Sequence, residues 1–254
     1  MRVGRRLALS LAGLCLTVAV PAAACSPAPG YRTPGNLELV RQADTIVLAR
    51  VVGGTTAPRG DPEGGTVVIR PLEALKGEMP AADIELSGMS LPLADVSGVR
   101  GYGLSNPFEF ERAHEEAYDG ACIRRTFPLG TTAVFFLERE ASGWRPAGGP
   151  FTRWAEDVPE ADAPWVQLVR LYTITDGLPP GEQRPFLEDE REALMARSGE
   201  PLAQLMANDI ARQIEGAPEQ ASDSFEDAFR DPAAESAVDA SLRAMRQGAI
   251  EAGN

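Results

Sequence analysis

Between residues 36 and 150 the apolar residues come in short bursts punctuated by glycine and proline; beyond residue 164 they recur at helical spacing. The first half therefore predicts short strands. Residues 45–52 form a β-branched run, and residues 66–75 form a second one after a turn-rich stretch, so the two predict a hairpin with a long loop. Residues 83–86 alternate polar and apolar side chains and predict a third strand. Residues 131–138, centred on Val134-Phe135-Phe136-Leu137, form the most apolar burst, and Ser142-Gly143 turns it into a short strand around Trp144. Asn36 is placed to cap a short helix carrying Leu37, Leu39 and Val40. Residues 108–118 predict another short helix, and residues 88–107 an irregular connector.

In the second half, Trp165, Leu168, Val169 and Tyr172 share one face of a helix opened by Pro164. Gly177-Leu178-Pro179-Pro180-Gly181 breaks the pattern. Leu202, Leu205, Met206, Ile210 and Ile214 then recur at helical spacing behind Pro201, and Val238, Leu242, Met245 and Ala249 do so behind Asp231-Pro232. The predicted architecture is mainly β with α: a partly open OB-like β-barrel with flanking helices, followed by an α-helical C-terminal region. Three segments result: a signal peptide over residues 1–24, the barrel domain over 25–176, and an acidic helical region over 177–254. The short stripes and high charge of the last predict a loosely attached subdomain.

The signal-peptide reading rests on three parts: Arg2, Arg5 and Arg6, an apolar run from Leu7 to Val20, and small residues at Ala22 and Ala24. The run is short of the roughly 20 apolar residues that span a bilayer, and no later segment is long and apolar enough, so no transmembrane segment is expected in the mature chain. The expected location is periplasmic or secreted. Cleavage after Ala24 leaves Cys25 at the mature N-terminus, where bacterial lipoproteins carry their lipid. Such signals usually have Leu three residues before the cysteine, and Ala22 stands there instead. Loss of Cys15 with the signal leaves two cysteines, Cys25 and Cys122, and an oxidising compartment favours a disulfide between them over a lipid on Cys25.

Charge narrows the partners. The full chain carries a net −13; without the three signal arginines, 21 basic residues face 37 acidic ones, a net −16. Such a surface repels nucleic acid and anionic membranes, since phosphate binding needs clustered Lys and Arg. The expected partner is a protein, and no nucleic acid.

Candidate chemistry is sparse. His114 is the single histidine, which leaves little for a metal site or a His-dependent triad; packing near the disulfide is the reading preferred to a ligand or base. Gly98-Val99-Arg100-Gly101-Tyr102-Gly103 lacks the strand–loop–helix setting of a phosphate loop. Asp223, Glu226, Asp227 and Asp231 lack the calcium-loop pattern and read as a solvated helix face. No G-x-S-x-G element occurs. No catalytic residue, metal or cofactor is expected, although carboxylate pairs for acid–base work remain open to the many acids.

Several short elements fall in a familiar order: Cys25, a helix over residues 36–42, Ala43-Asp44 and an apolar strand, a second strand ending in Leu75-Lys76-Gly77, then Cys122, Phe127, Gly130 and the strand at Val134. Over about residues 25–150 this order resembles the netrin-module and metalloproteinase-inhibitor (TIMP-like) OB-fold superfamily in its short bacterial form. The resemblance implies an OB-like barrel with its N-terminal segment tied on by a disulfide. In the inhibitors the N-terminal cysteine's amino group and carbonyl chelate the protease zinc; Cys25 and Ser26 match that position, but Pro27 stands where the family's Cys-x-Cys needs its second cysteine. Three functions follow as expectations. The first is an exported, non-catalytic OB-fold binding or interaction protein. The alternatives are an inhibitor of an extracellular metalloprotease acting through Cys25, and a carboxylate-dependent hydrolase.

Overall fold

The computed structural model describes residues 30–93, 103–141 and 143–216. The chain begins with α1 (Asn36–Gln42), β1 (Thr45–Gly54), β2 (Thr66–Lys76) and β3 (Ile84–Ser87), followed by a 3-10 turn at Glu115–Tyr118. It continues through β4 (Thr132–Glu140), β5 (Gly143–Pro146), β6 (Ala155–Asp157), α2 (Pro164–Gly177), α3 (Pro180–Met195) and α4 (Pro201–Glu215). The strands form one antiparallel sheet in the order β3-β2-β1-β4-β5, with β6 also on β4. The end strands β3 and β5 curl round until their Cα atoms lie within 8 Å of each other, without pairing. The sheet is thus a partly open, OB-like curl with flanking helices and a helical C-terminal region, in the class expected from the apolar pattern.

The alternation of side chains along a strand explains why β1 and β4 are almost wholly apolar. Val47, Ala49 and Val51 of β1, with Ala133, Phe135 and Leu137 of β4, face the inside of the curl and pack with Val67, Ile69, Leu86, Phe127 and Trp154. Their alternates, Ile46, Leu48, Val134 and Phe136, face outward under a layer of helices. The register pairs Val47 with Phe135 and Ala49 with Ala133. A slip of one residue would exchange the two cores.

The outer core draws on every helix. Leu37, Leu39 and Val40 of α1, Trp165, Val166, Leu168, Val169 and Tyr172 of α2, Leu187 and Leu194 of α3, and Ala203, Met206, Ala207 and Ile210 of α4 form one cluster with the outward residues of β1 and β4. The expected loose attachment is corrected here as far as residue 216: α3 and α4 are part of the core that covers the sheet. Residues 217–254, with the stripe at Val238, lie outside the described residues.

Two local expectations also change. Asn36 does not cap α1; Gly35 holds that position, and its N–H donates to Glu38. Asn36 instead turns inward, donating to the Phe110 carbonyl at 2.8 Å and to the Asp209 carboxylate at 2.9 Å. The helix expected over residues 108–118 shrinks to the 3-10 turn. Asn106 accepts from the N–H of Phe108, and Glu109 from those of Glu111 and Arg112, so local side chains take the backbone donors a helix would need.

The shared core sets an expected outcome. A chain ending at residue 179 loses Asp209 and the α3–α4 cover, so it should melt well below the full chain or aggregate. Thermal unfolding of the two lengths checks this.

Candidate functional site

Three clusters of polar side chains lie in or beside the core. In the helical layer, Asp209 of α4 is fully buried. Its carboxylate accepts from Asn36, from the Tyr172 hydroxyl at 2.6 Å and from Arg212 at 2.9 Å. With its charge matched by Arg212, this knot fastens α4 to α1 and α2. Beside it, a depression of about 370 Å³ runs between α1 and the end of α4. On its rim Arg32 pairs with Glu38, and Arg41 with Gln183 and Asp176, while Glu215 also lines it.

The second cluster surrounds β6. Arg124, 1% exposed, meets Asp157 at 2.7 Å and donates to Ser105 and to the carbonyls of Thr126 and Ala155. Arg153 lies 3.7 Å from Glu156, with its guanidinium 4.2 Å above the Trp165 ring. Glu156 accepts the His114 N–H, and Asp157 that of Ser105. Glu156 and Asp157 thus meet fixed backbone donors, while Asp157 Oδ1 and the Nε and Nη1 of Arg153 are buried without a hydrogen-bond partner among the described residues.

The third cluster lies at the corner formed by Cys122. Cys122 and Phe151 are the non-glycine residues with positive φ among the described residues, at 64° and 61°. They touch: the Phe151 N–H donates to the Cys122 carbonyl at 2.7 Å, and the Phe151 ring stacks on Tyr118 at 5.3 Å. Left-handed backbone in residues with a Cβ is costly and persists where its surroundings over-determine it. Such outliers gather at functional sites, which makes this corner the leading candidate.

The frame beside Cys122 is built from three strips of chain. Ser90 bridges Thr126, with N–H bonds running from Ser90 to Arg125 and from Phe127 to Ser90. Leu91 donates to Thr55 in the β1–β2 loop. Glu116 clamps the third strip, accepting from the N–H groups of Arg125 and Thr126 and from the Thr126 hydroxyl, at 2.8–3.0 Å. The Arg125 guanidinium in turn donates to the Gly88 carbonyl and to Glu63. The frame encloses a cleft of about 130 Å³ walled by Ala57, Pro62, Leu91, Leu93 and Ala121, with Glu116, Arg125 and Thr126 on its polar side. Leu93 is 56% exposed at its mouth. Ligand pockets for whole small molecules run to about 300 Å³ or more; this cleft matches one apolar side chain.

No family model, curated protein or solved structure matches this chain.

The residues singled out in the sequence scatter. Cys122 sits at the corner and is disulfide-bonded, while Cys25 and Ser26 lie outside the described residues. His114 is buried, with its ring bonded to the Gly103 carbonyl and the Glu116 N–H. Phe110 stacks on Trp165, and Tyr118 on Phe151. Gly98, Arg100 and Gly101 of the glycine-rich segment, and the acids Asp223, Glu226, Asp227 and Asp231, also lie outside the described residues. No group of three or more His, Cys, Asp or Glu able to hold a metal occurs among the described residues. No helix there is long and apolar enough to cross a membrane. Glu116, Phe151 and Asp209 were not singled out; an acid two residues after the lone histidine is the one signal that points to Glu116.

The Asp209 knot carries a pH prediction. Burial, and then the Asp209 carboxylate, push the Tyr172 phenol well above its usual range. The unfolded phenol loses its proton near pH 10 while the folded one keeps it, so the stability it contributes is present below about pH 10 and is lost as pH rises beyond that. Tyr172→Phe should cost about 1.5–3 kcal/mol at neutral pH, the worth of a hydrogen bond to a charged group, and should flatten the alkaline decline. Urea unfolding at neutral and alkaline pH, with tyrosinate absorbance, checks both.

Proposed function

We propose that this protein is an exported, non-catalytic OB-fold binding module whose partner is another protein, docked at the end of the curled sheet beside Cys122. One observation carries the reading: a cleft the size of one apolar side chain, with an exposed leucine at its mouth and a frame immobilised by Glu116 and Arg125. Protein partners anchor through single side chains seated in such preformed pockets, because little ordering entropy remains to be lost on binding. The acidic surface favours a partner that is not nucleic acid.

A second reading, inhibition of an extracellular metalloprotease through Cys25, draws support from one chain of contacts. Tyr31 donates to the Pro150 carbonyl at 2.7 Å, and Phe151 to that of Cys122. The six residues from Tyr31 back to Cys25 span at most about 20 Å, which allows Cys25 to reach Cys122. On this reading the disulfide of Cys122 is made with Cys25, and the mature N-terminus lies beside the cleft.

The two readings separate by experiment. A photo-crosslinker at Leu93 should give one defined product with extracellular proteins, absent when Leu91→Arg fills the cleft and absent from a control crosslinker at Glu188 on α3. Equal products from both positions, or products insensitive to Leu91→Arg, would refute the cleft as the docking site. One alanine added before Cys25 should abolish inhibition of a zinc endopeptidase under the second reading and leave the crosslink intact under the first.

A further inference from the structure

The end of the sheet that carries the cleft also carries a projection of matching size. Residues 128–131 make a tight turn ahead of β4. The Thr131 N–H and hydroxyl both donate to the Pro128 carbonyl, at 3.3 and 2.8 Å. Gly130, at φ 85°, takes the left-handed position, and its N–H donates to the Val51 carbonyl of β1 at 2.9 Å. Leu129 stands in this turn, 63% exposed, the most exposed of the large apolar side chains among the described residues. It follows Thr126 by three residues, so at most about 11 Å of chain separates it from the polar side of the cleft. Single exposed leucines are ordinary on protein surfaces. A leucine on a hydrogen-bonded turn, beside a preformed cleft that takes one apolar side chain, is a projection next to its own complement.

Charge separates the two neighbourhoods. Arg50 adjoins Val51, to which the turn is bonded. It is exposed, and its guanidinium has no ion-pair or hydrogen-bond partner among the described residues. On the cleft and the residues next to its walls, Asp61, Glu63, Glu115 and Glu116 outnumber Arg59 and Arg125. The projection therefore has a free cation beside it, and the socket has an acidic rim. A surface that carries both halves of a contact is self-complementary. One two-fold rotation brings each projection to the other copy's socket and closes the pair. A surface for a foreign partner needs the socket alone.

We infer that the cleft beside Cys122 seats Leu129 of a second copy of this chain, in a two-fold pair that buries two leucines. The inference rests on the reading of the cleft as a socket for one side chain. In the pair Leu93 flanks each seated leucine, and each Arg50 faces the acidic rim of the other copy's cleft. The net charge of −13 opposes approach at long range, but salt screens it beyond about 8 Å, so the short-range contacts set the affinity.

Sedimentation of the purified protein over a range of concentrations tests this, together with a photo-crosslinker at Leu129. The sedimentation coefficient should rise with concentration from that of a monomer to that of a dimer. The crosslinker should give one product of doubled mass, linked to residues 57–62, 91–93 or 121–126. Leu129→Asp changes a solvent-facing side chain, so it should keep the melting temperature while weakening the dimer roughly tenfold or more, the effect of losing a central anchor. Arg50→Glu should weaken it further than Arg184→Glu on α3. A chain that stays monomeric at every concentration would overturn the inference, as would a dimer that Leu129→Asp leaves intact, or a series of ever larger species in place of a closed pair. The docking reading fails separately. A monomeric chain whose Leu93 crosslinker still captures an extracellular protein, with the product lost in Leu91→Arg, has the socket but another occupant. A dimer lost in both Leu129→Asp and Leu91→Arg identifies the second copy as the occupant.

Discussion

The structure depends on burying both faces of β1 and β4. Each strand contributes alternate side chains to two cores, Val47 and Phe135 inward, Leu48 and Phe136 outward. A sheet loaded in this way cannot leave its convex face in water, so helices must cover it. Burial of a large apolar side chain is worth about 1.5–3 kcal/mol, and the outward set in β1 and β4 has four. That requirement explains why α3, strongly charged on its outer side, and α4 are bound into the fold. It also explains Asp209: a carboxylate taken fully out of water is tolerable because Asn36, Tyr172 and Arg212 converge on it, and its position pins α4 against α1 and α2.

The same constraint gives the Ala43-Asp44 and Leu75-Lys76-Gly77 elements a structural meaning. Lys76 is the only lysine in the chain. Its ammonium donates to the Val40 carbonyl at the end of α1 and to Asp176 at the end of α2. A compact head with three divergent donors suits that junction; the flat fork of an arginine does not. Gly77 follows at φ 76°, where an added Cβ would lie 2.8 Å from the Asp44 carbonyl oxygen. Asp44 donates its N–H to Leu137 and accepts that of Arg139. These short elements therefore close one corner at which α1, β1, β2, β4 and α2 meet. A resemblance that rests on them speaks to the corner and hence to the fold, and only through the fold to function.

Where the apolar pattern carried the information, the sequence was readable. Strands β1 to β4 fall within two residues of their expected bounds, β5 forms around Trp144, and α4 begins at Pro201 as its spacing predicted. β6 escaped because Ala155-Glu156-Asp157 has two acids in three residues; only Arg153, Arg124 and the backbone of 103–114, brought up by the fold, make that strand tolerable inside the protein. The site was half legible. Cys122 was visible as a cysteine, but its left-handed backbone has no residue-level signal, since the strain is imposed by Phe151 from 29 residues away. Glu116 looked like one acid among many until its carboxylate was seen gripping the backbone of 125–126.

That strain bears on whether the corner binds or merely closes. A closing turn has cheap solutions: a glycine accepts positive φ freely, and Gly120 already does so two residues before Cys122. Holding Cys122 and Phe151 there instead costs on the order of 1–3 kcal/mol each. The Phe151–Cys122 hydrogen bond, the Tyr118 stack and the Tyr31–Pro150 bond hold the corner in place. A glycine at either position would relieve the strain but would forfeit the disulfide at Cys122 or the aromatic stack at Phe151. The fold thus keeps a strained corner because it needs those two side chains there, one as a tether and one as a platform. On the docking proposal, the same tether and platform would hold the socket beside them rigid and so leave little ordering entropy to lose on binding.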